Sequence, residues 1–207
     1  MSNDIKDIYS RNLDILSEIG NIGAGNATTA LAQIIGNKVN MDVPQVRLLG
    51  FNELTEIVGG AENIVIGIMC RIEGDLTGMM MFMLEKAVAH HLIDIVMMGF
   101  DDGSEEEFSE MKLSALHELG NIIVGAYLNA LAGLTGLKIV ESIPHLCIDM
   151  AGAILSVPAI EFGKMGDEAL LIESRFFEED KTVSGYFILI PDVPSYDTIL
   201  KSLHIGW

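Results

Sequence analysis

Glu18 and Asn21 stand three residues apart, and the same pair returns one hundred residues later as Glu118 and Asn121. On a helix, a spacing of three puts both side chains on one face. The amide is a donor and an acceptor at once, so it can hold a water in a chosen orientation; the carboxylate can accept from a cationic side chain of a partner. Such pairs supply too few ligands for a hard cation, so they suit positioning rather than a resident metal. Asp14 and Gly25 extend the first row by four residues at either end, and Ser114 and Gly125 extend the second.

The glycines of "SEIGNIGAGN", residues 17–26, look like a phosphate-wrapping loop. The matching passage "HELGNIIVGA", residues 117–126, has Ile123 in place of Gly23, so shared chemistry cannot rest on a glycine cradle. The lysine and preceding strand of a nucleotide loop are missing as well. Helices account better for both passages. At 100° per residue, Leu13, Ile15, Leu16, Ile19 and Ile22 fall on one broad arc, as do Leu113, Ala115, Leu116, Leu119 and Ile122. The polar rows lie opposite.

Each helical glycine costs about 1 kcal/mol relative to alanine. Gly25 and Gly125 would leave a flat place where another surface can reach the asparagine, while Gly20 and Gly120 could equally mark a kink. A Glu and an Asn on a solvent face are usually plain surface. Here both copies keep them while Ser17 becomes His117 and Gly23 becomes Ile123.

The elements that carry these rows are themselves repeated. Residues 16–44 and 116–144 share twelve identities in 29 ungapped positions. Towards the ends of the halves the offset is 107, "GMMMFML" at Gly78 matching "GYFILIP" at Gly185, so seven extra residues are expected between Ile148 and Asp167. Each half reads as a helix, an extended segment, a short apolar piece, a strand pair and a closing helix. In the first half these fall at about 4–35, 38–50, 63–72, 78–84 and 85–98. Gly36 and Gly136 stand where helix-ending glycines are expected. The fold class expected is α+β: one pseudo-twofold domain of two repeats, about 1–100 and 109–207, joined by the acidic "FDDGSEEEF". Its sheet is largely antiparallel and flanked by helices.

A formal charge of −18 would repel nucleic acid and anionic membrane surfaces. The start of the chain has no signal-peptide pattern and no apolar run is long enough to span a bilayer, so a cytoplasmic location is expected. Cys70 and Cys147 read as free thiols. His90 and His91 have no counterpart in the second half. His145, Cys147 and Asp149 alternate along a strand without a fourth metal ligand nearby.

Followed to the prolines, the rows read D-x-x-x-E-x-x-N-x22-P from Asp14 to Pro44 and S-x-x-x-E-x-x-N-x22-P from Ser114 to Pro144. This resembles the signature of the CheC/CheX/FliY family of bacterial chemotaxis phosphatases, and the length and internal repeat resemble its CheC branch. The resemblance implies hydrolysis of the aspartyl phosphate of the response regulator CheY, with Glu18, Asn21, Glu118 and Asn121 as the functional residues. It implies no cofactor of the chain's own, Mg2+ being carried by the phosphorylated partner. It also implies a second partner, the receptor-modifying deamidase CheD. The unrepeated "HLCIDMAGAILSVPAIEF", which includes Asp149, is a natural place for such an asymmetric partner. Asp14, Ser114, Pro44 and Pro144 are expected to support the motif without doing chemistry. The rival reading is a non-enzymatic adaptor that docks a regulator, CheD or a flagellar switch component.

Overall fold

The computed structural model describes residues 13–36, 40–41, 45–100, 103–162, 168–178 and 181–203. Its helices are α1 (Leu13–Ile35), α2 (Phe51–Ile57), α3 (Lys86–Val96), α4 (Glu110–Thr135), α5 (Ala151–Phe162) and α6 (Val193–Ser202). Its strands are β1 (Asn40–Met41), β2 (Gln45–Gly50), β3 (Ile64–Gly74), β4 (Gly78–Glu85), β5 (Ile139–Glu141), β6 (His145–Met150), β7 (Glu168–Glu178) and β8 (Lys181–Pro191).

The strands form one antiparallel sheet in the order β1-β7-β8-β4-β3-β5, with β2 also on β7 and β6 also on β3. The register is symmetric. At the centre Met81 faces Ile188, and Gly78 with Pro191 mirrors Leu84 with Gly185 at the offset of 107. Further out, Gln45 with Glu173 has its counterpart in His145 with Met69. The outer strand of each half therefore hydrogen-bonds to the inner strand of the other, so each half's sheet is completed by its neighbour.

The second pairing also moves the insertion. β3 and β7 are related by 104, four more than the offset of the helices, and the last three residues fall in the longer β7–β8 hairpin. The expectation that all seven lie between 148 and 167 is thus corrected. Only four do, where α5 is longer than α2.

Both sheet faces are covered. Phe82, Leu84, Ile66 and Ile68 point to the side of α1, α3, α4 and α6, while Met79, Met81, Met83 and Ile188 point to α2 and α5. That is why "GMMMFML" is an unbroken apolar run: a central strand buried on both sides has no solvent face to alternate with. α2 was not expected from the sequence. Seven residues are too few to show a period, but Glu53 accepts from the Gly50 N–H at 2.9 Å at its start, and Leu54 and Val58 are buried.

α4 begins at Ser109, whose hydroxyl accepts from the Lys112 N–H, and ends at Gly136 with φ 69°. Gly36 has φ 67° at the end of α1. Between these ends both helices run unbroken, so neither Gly20 nor Gly120 separates two helices. A β-carbon at Gly120 would strike Ile68, so this glycine lets α4 lie close on the sheet. Gly23 likewise faces the Tyr127 ring, and the counterpart positions, Ile123 and Ala27, are both buried. The bulk missing from one helix is supplied by the other.

Tyr127 stacks on Phe187 at 5.1 Å, and its hydroxyl is buried with no hydrogen-bond partner among the described residues. Burial also pushes its phenol above the usual range. Tyr127→Phe removes an unpaired buried dipole and keeps the ring, so it is expected to raise stability by about 1 kcal/mol. Urea unfolding checks this; a loss of about 1 kcal/mol would mean that a buried water holds the hydroxyl.

Candidate functional site

On α4 the core side is made by Leu116, Leu119, Gly120, Ile123, Val124, Tyr127, Leu128 and Leu131. The opposite side carries Ser114, Glu118 and Asn121, all exposed, with Gly125 half-buried. On α1, Ile19, Gly20, Gly23, Ala24, Ala27 and Leu31 are buried, Glu18 is exposed, and Asn21 and Gly25 are half-buried. The expected row is therefore reproduced on α4, while on α1 Glu18 faces solvent and Asn21 reaches it only in part. Asp14 falls within α1, and Pro44 lies outside the described residues.

One part of the helical reading is corrected. Ile122 is 36% exposed and Ile22 is half-buried. Both were expected on the apolar arc, yet the core faces centre on positions 120 and 123, which turns Ile122 out beside Asn121. Two helices packed on each other and on a sheet fix that centre; periodicity alone does not.

Among the described residues, no hydrogen bond or ion pair engages the side chain of Glu18, Asn21, Glu118 or Asn121. Asn26, by contrast, donates its amide to the Ile22 carbonyl at 2.9 Å. The paired side chains are thus available to a partner. At Gly25 an added β-carbon would meet nothing within 4 Å, and at Gly125 it would meet only Glu141 Oε1 at 3.6 Å. Internal packing requires neither glycine, and the ground beside each asparagine is open.

The segment Glu141–Pro144 borders the second row. His117 Nε2 lies 2.8 Å from the Pro144 carbonyl, and Pro144 is buried just before β6. Ser142 is fastened to Arg71 of β3: its hydroxyl accepts from the Arg71 N–H at 3.0 Å, and its own N–H donates to the Arg71 carbonyl at 2.9 Å. His117 and Glu141 were not expected at the site. Their only sequence signal was that they differ from Ser17 and Met41 at the corresponding positions.

Other candidates contribute nothing comparable. Cys147 donates to the Gly67 carbonyl at 3.4 Å, and Asp149 Oδ1 accepts from the Met150 N–H at 2.7 Å. Among the described residues no three His, Cys, Asp or Glu side chains stand close enough to share a metal. Burial pushes the Cys70 thiol up to about 12 and raises Cys147, so neither is a thiolate nucleophile at neutral pH. His90 stacks on Phe108 at 4.6 Å and meets Glu107 at 3.1 Å. Lys86 and then His90 hold the Glu107 carboxyl below its ordinary range. This cluster pins the linker to α3. No helix among the described residues is long and apolar enough to cross a membrane.

The profile of the CheC-like family matches residues 12–47, and that of "Chemotaxis phosphatase CheX" matches residues 65–160. The CheY-P phosphatase CheC of Bacillus subtilis is 38% identical over 200 residues, 95% of each chain. The chain belongs to the CheC-like family. Thermotoga maritima FliY has the same fold, with a TM-score of 0.72 at 23% identity over 92% of this chain and 94% of that one. CheX in the CheX–CheY–BeF3–Mg2+ complex of Borrelia burgdorferi matches with a TM-score of 0.51 at 17% identity, covering 80% of this chain and 92% of its own. The CheC-like profile spans Glu18 and Asn21, and the CheX profile spans Glu118, Asn121 and Pro144.

Proposed function

We propose that this chain is a phosphatase of the aspartyl phosphate on CheY, acting at two pseudo-equivalent sites. The observation that carries the reading is the pair of Glu and Asn side chains without an internal partner among the described residues, repeated on α1 and α4, each beside a glycine with open ground. Both are exposed on α4; on α1 Glu18 is exposed and Asn21 half-buried. The 38% identity to a CheY-P phosphatase over 95% of both chains supports the substrate. An acyl phosphate is already activated, and the partner brings its own Mg2+, so the missing element is a water held in line with phosphorus. Asn21 and Asn121 hold that water. Glu18 and Glu118 pair with a cationic side chain beside the phosphate and set the register of the two proteins.

The symmetric sheet register supports treating residues 1–207 as one domain of two repeats. CheD is the proposed second partner. The surface around Asp149 and α5, where the halves differ most, includes the exposed Met150, Val157 and Ile160, and suits a partner that binds one half only.

Turnover tests the proposal. One part of this protein to twenty of phosphorylated CheY should shorten the regulator's lifetime, with release of inorganic phosphate well beyond one equivalent. An unchanged lifetime would leave the adaptor reading in its place.

A further inference from the structure

We propose that Ile143 is an apolar anchor for the regulator at the second site, a docking residue that completes the row on α4; this rests on the reading of that row as the CheY-phosphate site. The placement follows from two contacts. Glu141 reaches Gly125, and the Pro144 carbonyl is held by His117. Gly125 and His117 lie one helical turn to either side of Asn121, about 12 Å apart along the axis at 1.5 Å per residue. Glu141 stands opposite Ile72 and His145 opposite Met69, so the segment between them spans three steps of β3, about 10 Å, with one residue extra. It runs alongside the helix in the opposite direction, which brings Ser142 and Ile143 near the level of Asn121.

Ser142 is tied down to Arg71, whereas Ile143 is 79% exposed. The segment is held at 142 and 144, so the exposed side chain has a fixed position. Ile122, on the same side of α4 as Asn121, adds apolar surface, and Glu118 and Glu141 border it with negative charge. A protein that brings a phosphoaspartate to Asn121 cannot avoid this ground. The chemistry calls for an apolar depression edged by basic groups next to the phosphorylation site, which fits a phosphate-binding regulator surface.

The test uses the full chain carrying Asn21→Ala, so that only the second site turns over, with phosphorylated CheY as substrate. Ile143→Ser and Ile143→Asp are expected to raise KM roughly tenfold or more while kcat stays within about twofold. Ile143→Leu should restore KM, and thermal unfolding should show all variants folded. An unchanged KM in folded Ile143→Ser and Ile143→Asp overturns the anchor, as does a fall in kcat at constant KM. If the Asn21→Ala parent fails to speed decay at all, the reading of the α4 row fails first, and the anchor with it.

Discussion

Replacing Asn21 and Asn121 together by alanine is expected to lower kcat for CheY-phosphate hydrolysis by roughly two orders of magnitude, about 3 kcal/mol of transition-state stabilisation. Both side chains reach solvent and neither holds an internal hydrogen bond among the described residues, so truncation should shift stability by no more than about 0.5 kcal/mol. Each single substitution should remove only its own site's share. Asn121 is expected to carry the larger one: Ile123 packs where α1 has Gly23, and His117 ties α4 to Pro144, so its amide sits on the firmer support. Steady-state phosphate release on the three variants decides this. A double variant that is folded by circular dichroism and works at the parental rate would refute the assignment.

The second large effect is expected from adding side chains rather than removing them. Gly25→Gln with Gly125→Gln puts a good helix former at two positions where a β-carbon meets no clash. Stability should hold or rise, by up to about 1 kcal/mol per site. The same side chains would stand where the regulator must approach, so KM for phosphorylated CheY should rise roughly tenfold or more. Urea unfolding and KM, measured together, separate the two effects. Unchanged KM in a folded double variant would show that docking does not need the flat ground.

The polar rows were legible in the sequence because they face water, where only their spacing matters, and because a second copy shows which residues persist. The centre of each buried face was not. Ile122 and Ile123 are equally apolar, and only the sheet and the partner helix decide that Ile123 turns inward and Ile122 outward. Sheet order was likewise beyond a linear reading: the exchange of outer strands, β2 onto β7 and β6 onto β3, joins residues more than seventy positions apart. His117 and Glu141 show the same limit at the site. His117 reaches from α4 to the Pro144 carbonyl, and Glu141 at the end of β5 comes back beside Gly125. No spacing rule predicts which residue beyond the turn after α4 lies beside which helical turn.

The central claim is that the asparagines do chemistry while the rest of the row docks. Affinity for CheY activated with BeF3 and Mg2+, set beside the decay of phosphorylated CheY for the same preparations, tests it most directly. The Asn21→Ala, Asn121→Ala double variant should bind the activated regulator within about threefold of the parent, one amide at each site being a small part of a docking surface, yet speed decay of the phosphoryl group roughly a hundredfold less than the parent does. Loss of affinity in proportion to loss of rate would contradict the claim and make the asparagines docking residues.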